Sequence, residues 1–139
     1  MSSPKILVPV DGSPASLRAV DFAINMVGQD PGTSLLLLHV SHIPAIELAG
    51  TEGVQEFASQ RSAQALKDAT AKCEASSIDF KPLVRTGQTA KAIAQIAQEE
   101  DVKHIVMGTR GLGGVKGLLL GSVATQVIHL ADVPITLIK

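Results

Sequence analysis

Five short apolar runs, Lys5 to Val10, Ser34 to Val40, Phe80 to Arg85, His104 to Met107 and Ile135 to Ile138, alternate along the chain with four amphipathic stretches. Alternation of this kind predicts an α/β fold in which a largely parallel sheet is covered by helices on both faces. Leu35 to Leu38 and Ile6 to Val8 are apolar at every position, the pattern of central strands buried on both sides. Pro82 removes a ladder donor from the third run, and in the last run Ile135 and Leu137 alternate with Thr136 and Ile138, so both read as sheet edges. An edge of this kind can pair with a second copy of the chain.

The amphipathic stretches carry their own punctuation. Ser13 is placed to cap the first helix and Pro14 to open it, with Leu17, Val20, Ile24 and Val27 on one face and Gly28 as the expected stop. The second runs from Val54 to Ala75 with Ala58, Ala65, Leu66, Ala69 and Cys73 on one stripe. The third groups Ala90, Ile93, Ala94 and Ala97, and the fourth begins near Ser122 with Val123, Val127, Leu130 and Ala131. At 139 residues the chain fits one domain, residues 1–139, long enough to bury a core without disulfide or metal staples.

Several partners are disfavoured by composition. The formal net charge is −1, no two Lys or Arg residues are adjacent, and Trp and Tyr are absent. Neither the electrostatic footprint nor the stacking platforms of a nucleic-acid binder are therefore expected. A lone cysteine, Cys73, suits a reducing compartment, and no apolar run reaches the length of a membrane span. The expected setting is the cytoplasm, with neither nucleic acid nor membrane as partner.

In open parallel sheets, ligands bind beyond the carboxyl ends of the strands, where the strand order reverses. Two loops leave such ends: Pro9-Val-Asp11-Gly12 after the first strand, and Gly108-Thr-Arg-Gly-Leu-Gly-Gly-Val-Lys-Gly-Leu-Leu-Leu-Gly-Ser122 after the fourth. The second loop holds six of the chain's twelve glycines. A phosphate at the start of the fourth helix would account for them. The free N–H groups and dipole of a helix start favour an anion, and glycines let the backbone approach it closely and turn through positive φ. The stretch is not a P-loop, because Gly113 is followed by Gly114 where Lys is required. Gly111-Leu-Gly113-Gly-Val-Lys116 also falls one glycine short of the dinucleotide fingerprint and follows the wrong strand.

The spacing that does fit is Gly108-x2-Gly111-x9-Gly121-Ser122. On this motif, and over the whole length from Lys5-Ile-Leu-Val-Pro-Val-Asp11 to Val133-Pro-Ile-Thr-Leu-Ile138, the chain resembles the ATP-binding branch of the universal stress proteins. The resemblance implies a single three-layer α/β/α domain of Rossmann-like type, with a five-stranded parallel sheet in the order 3-2-1-4-5 and four helices. It implies an adenine-nucleotide ligand, ATP, ADP or AMP, with Pro9 and Asp11 lining the pocket and Val40 at the adenine. Met107, Gly108 and Gly111 would surround adenine and ribose, and Gly121, Ser122 and Val123 would meet the phosphates. It also implies a homodimer joined through the last strand. Some ATP-binding relatives carry a second hydroxyl two residues after the serine, where this chain has Ala124. Arg110 and Lys116 are then the nearby cations, and AMP or ADP competes with ATP.

Asp11 needs its own account, because a carboxylate beside phosphates repels them unless it holds a metal or meets a ribose or adenine group. A Mg²⁺ carried by the nucleotide is the metal this allows, and an Asp-Gly turn without ligand is the plainer alternative. Ser122 is expected to cap the fourth helix whether or not it meets phosphate. His39 and His42 form an H-x-x-H pair with no third ligand nearby in sequence, and His104 and His129 read as boundary and surface residues. Cys73 reads as a buried, inert thiol and Glu99-Glu100-Asp101 as a solvated helix end. Ser41 to Gly53 reads equally as a lid over the base or a surface loop. The resulting expectation is a nucleotide-dependent regulatory or interaction module of the stress response with no catalytic residues. The alternatives are a slow ATP-hydrolysing or adenylyl-transferring enzyme, with Asp11 nearest to activating water, and a module that has lost its ligand.

Overall fold

In the computed structural model, the described residues are 3–41, 52–110 and 120–139, without the side chains of 52–59. The chain order is β1 (Lys5–Pro9), α1 (Pro14–Gln29), β2 (Ser34–Ser41), α2 (Glu52–Ala75), β3 (Phe80–Thr86), α3 (Thr89–Glu99), β4 (His104–Gly108), α4 (Ser122–Leu130) and β5 (Ile135–Ile138). The five strands form one parallel sheet in the order β3-β2-β1-β4-β5. This is the expected three-layer α/β/α arrangement, with the Pro82 strand and the last strand at the edges.

Alternating side chains of the central strands enter two different cores, as the two-residue period of a strand requires. Ile6, Val8, Val10, Leu35 and Leu37 pack with Ala19, Val20, Ala23, Leu66, Ala69 and Cys73 of α1 and α2. On the opposite face, Leu7, Leu36, Leu38, Ile105 and Met107 pack with Ala90, Ile93, Ile96, Ala97 and Val127 of α3 and α4. Leu7, Leu35 and Leu37 are wholly buried, and each such side chain contributes about 1.5–3 kcal/mol relative to exposure.

Helix α1 starts as expected: Ser13 is extended, its Oγ accepts the Ser16 N–H at 3.2 Å, and Pro14 follows. It does not stop at Gly28, which lies within the helix; the positive φ of the turn falls at Gly32, at 97°. The inward face of α1 is made of small residues, Ala15, Ser16, Ala19 and Ala23, with Val20 and Val27, while Leu17 and Ile24 are only partly buried. Small side chains let the helix axis sit close to the sheet, which moves the longer ones to the flanks. In α3 the deeper residue is Ile96 rather than Ala94, and in α4 Ala124 and Val127 are buried while Leu130 is 46% exposed. The side chain of Ala58 lies outside the described residues.

Candidate functional site

β1 pairs with β2 as far as Pro9↔Leu38, but with β4 only at Ile6↔His104 and Leu7↔Ile105. Past Leu7 and Ile105 the neighbours part, because the chain leaves β1 for α1 on one face of the sheet and leaves β4 for α4 on the other. This is the switch point at which a doubly wound sheet opens a crevice.

The β1 wall of the crevice is an Asp-Gly turn. Asp11 Oδ1 accepts the Ser13 N–H at 2.8 Å, and Gly12 has a φ of 84°, the left-handed conformation that glycine adopts freely. Ser16 Oγ in turn donates to the Ser13 carbonyl at 2.9 Å, so the turn and the start of α1 are one hydrogen-bonded unit.

The β4 wall depends on two glycines whose φ is ordinary, contrary to the expectation of positive φ. Both serve close approach. A Cβ on Gly108 would lie 2.9 Å from Ala15 Cβ and 3.0 Å from the Ala15 carbonyl carbon, so glycine is what lets the first turn of α1 seat on the end of β4. A Cβ on Gly121 would stand 3.3 Å from the Thr109 carbonyl oxygen, which accepts the Gly121 N–H at 2.6 Å. The Thr109 N–H donates to the Ile138 carbonyl at 2.8 Å. The start of α4 is thereby fastened to the ends of β4 and β5.

Gly121, not Ser122, holds the cap position of α4; its backbone is extended and its carbonyl accepts the Thr125 N–H at 3.1 Å. Ser122 is the first helical residue and is exposed. Glycine has no side chain to cap with, so the first-turn amides of α4 receive no side-chain hydrogen bond from the cap residue. Such amides are where helices hold anions.

Pro9 ends β1 and Val40 is the penultimate residue of β2, and both are half-buried. The Met107 side chain is buried in the α3/α4 core, so the crevice can meet only its backbone, and Val123 packs against the same core. Ala124 is 2% exposed in that core too, so a hydroxyl at 124 would point at apolar side chains; the hydroxyl this turn does carry, on Thr125, donates to the Gly121 carbonyl at 3.0 Å. Arg110 is exposed. Gly111, Lys116, His42 and residues 42–51 of the Ser41 to Gly53 segment lie outside the described residues.

A polar cluster beside Asp11 escaped the reading of the sequence. His39 is buried, with Nδ1 2.9 Å from Ser62 Oγ, which is itself 3.2 Å from Ser41 Oγ. Burial holds the imidazole below its usual pKa, with Asp11 acting the other way and Arg61 reinforcing the shift. The available signal was Ser62, which precedes Ala65 and Leu66 on the buried stripe of α2 by one helical turn. Elsewhere, Cys73 is buried and its thiol is pushed up to about 11, mainly by that burial. His104 Nε2 lies 2.6 Å from Thr136 Oγ1, joining β4 to β5, and His129 is exposed. Glu100 is not simply solvated: Lys5 Nζ donates to it at 3.0 Å and holds its carboxyl below the usual range. Among the described residues there is no group of three metal-ligating side chains, and no helix is long and apolar enough to cross a membrane.

The fold and the crevice define a Rossmann-like α/β protein with its candidate site at the switch point. The chain belongs to the Universal stress protein family, whose profile matches residues 3–139. A universal stress protein of Thermus aquaticus, from the QAH/OAS sulfhydrylase 3' region, is 35% identical over 96% of this chain and 97% of its own. Among solved structures, the protein MJ0577 superposes with a TM-score of 0.84 at 26% identity, covering 100% of this chain and 97% of that one. A universal stress protein from Archaeoglobus fulgidus in complex with dAMP superposes with a TM-score of 0.77 at 22% identity, over 100% of both chains.

Proposed function

We propose that this chain, as one unit over residues 1–139, binds an adenine nucleotide in the crevice between β1 and β4 and acts as a nucleotide-dependent regulatory or interaction module of the stress response. The observation that carries the reading is the start of α4. An uncapped first turn is held at the switch point by the Gly121–Thr109 hydrogen bond, within a Gly108-x2-Gly111-x9-Gly121-Ser122 spacing. The dAMP held by the A. fulgidus relative supports the class of ligand.

In this reading the amides of Ser122 and Val123, with Gly121, receive the phosphates. The backbone of Met107 and Gly108, with Gly111, borders the adenine and ribose, and Val40, Pro9 and Asp11 close the base side. ATP, ADP and AMP share these contacts. A Mg²⁺ fits as a passenger of the phosphates, with Asp11 as the protein carboxylate; it would neutralise phosphate charge beside that group. Binding rather than turnover is the expected activity, with hydrolysis slow at most. Occupancy would order the glycine loop and change the surface offered to a partner, a population shift driven by differential affinity. A cytoplasmic setting, suggested by the lone cysteine, belongs to the same proposal.

A homodimer through β5 is the second part. All four β5 residues are only half-buried, and exposed apolar side chains stand on the helices to either side: Phe22 on α1, Ile128 and Leu130 on α4.

With no Trp and no Tyr, the protein absorbs little near 280 nm, so an ultraviolet spectrum exposes a co-purified base directly. A 260 nm band in stoichiometric amount, with the ligand identified by chromatography after acid release, is the expected result. If the spectrum is flat, Mg²⁺-ATP and AMP titrations follow. Undetectable binding of either at millimolar concentration refutes the reading, as does full affinity in Gly121→Val.

A further inference from the structure

The two edges of the sheet differ in the backbone groups they present outward, and the parity of the ladders shows how. At β3, the Gly87 N–H donates to the Ser41 carbonyl and the Leu35 N–H to the Asp79 carbonyl. A strand residue points its N–H and C=O to the same side and successive residues alternate, so Lys81, Leu83 and Arg85 face β2. The outward row is Phe80, Pro82, Val84 and Thr86. At β5, the Pro134 and Ile138 carbonyls accept from Ile105 and Thr109 of the β4 side, so Thr136 and Ile138 face inward. The outward row there is Ile135 and Leu137, each with both its donor and its acceptor. The next outward carbonyl, of Lys139, already accepts Arg18 Nε at 2.6 Å.

The β5 row is therefore two residues long, complete, and free of charged side chains from Ile135 to Ile138. A two-fold axis beside Thr136 would set Ile135 against Leu137 of a second copy, each pair exchanging two hydrogen bonds. In the β3 row the central donor is missing, because Pro82 has no N–H and its ring occupies the space an incoming carbonyl would need. Lys81 and Arg85 are exposed along the same strand, so β3 also confronts another β3 with like charge.

We propose that Pro82 closes the β3 edge to other copies of the chain, so that association through β5 ends at a closed dimer instead of running on. The inference rests on the β5 dimer proposed above. A β5-to-β3 contact would be heterologous and would generate an open fibre, whereas β5-to-β5 is isologous and closes on itself. With the donor at 82 absent, the two-residue β5 row finds complete partners on β3 only at Val84 and Thr86, where the Val84 carbonyl already accepts Arg85 Nη1 at 3.0 Å, so the closing contact is the one whose partners are all open.

The test is sedimentation velocity of the full chain and of Pro82→Thr and Pro82→Ala, from about 10 to 500 μM, with circular dichroism confirming that each variant is folded. The wild type is expected at twice the chain mass throughout. Both variants are expected to give species of four or more copies that grow with concentration. Adding Leu137→Pro, which deletes an outward donor of β5, should return Pro82→Thr to small species. A monomeric wild type refutes the β5 dimer itself. A dimeric wild type whose two Pro82 variants also remain dimeric leaves that dimer standing and refutes the role given to Pro82.

Discussion

Two substitutions of glycine by alanine should change stability in opposite directions. At Gly108 the added Cβ would sit 2.9 Å from Ala15 Cβ, 3.0 Å from the Ala15 carbonyl carbon and 3.2 Å from the Ser16 nitrogen. Two of these atoms are backbone in the first turn of α1, where the Ser13 and Asp11 hydrogen bonds resist a shift. Overpacking of this kind costs about 1–3 kcal/mol, against a gain of about 0.4–1 kcal/mol from a stiffer unfolded chain. The net loss is about 1–2 kcal/mol, or roughly 3–8 °C in Tm for a chain of this size. At Gly28, an exposed position inside α1, an added Cβ meets nothing within 4 Å and φ is ordinary. Helix propensity alone then predicts a gain of about 1 kcal/mol and a Tm higher by about 4 °C. Thermal unfolding followed at 222 nm without nucleotide measures both. A Gly108→Ala protein as stable as the wild type would refute the packing explanation of that glycine and return it to a role with ligand alone.

Ser13→Ala should cost about 1 kcal/mol in denaturant unfolding, because it removes the side chain that accepts the Ser16 N–H at the start of α1; an unchanged midpoint would mean that the Asp11 contact suffices. His39 is held below its usual pKa by burial, so in the range just below about 6.5 the unfolded chain binds more protons than the folded one. Stability is then fully present above that pH and declines as pH falls toward the folded value; Tm measured from pH 8 to 5 should drop, and His39→Gln should flatten that limb. Cys73, buried with its thiol pushed up to about 11, should react with an aromatic disulfide reagent at least tenfold more slowly in the folded protein than in urea. Comparable rates would mean that α2 opens readily.

The strands, the central pair and the two edges were legible because burial on two faces and a proline at an edge have direct physical readings, while the full strand order came with the family resemblance. The reasons for individual glycines were not. Gly108 and Gly121 look in the sequence like positions of unusual backbone, yet both have ordinary φ and are demanded by neighbours distant in the chain, Ala15 and Thr109. Helix ends were misjudged for a related reason: Gly28 is tolerated inside α1, and the residue that caps α4 is glycine although a serine follows. The His39–Ser62 pair joins residues 23 apart across a strand and a helix, and a periodicity argument made within each element has no means of joining them.

Thr109 is a fixed post. Its carbonyl accepts from Gly121 and its amide donates to Ile138, so one residue ties the start of α4 to the end of the outer strand. A single residue inserted between Met107 and Thr109 would displace both partners together, so the register of β4 sets at once where α4 begins and where β5 ends. One shift in that strand would reach both the candidate site and the edge of the sheet.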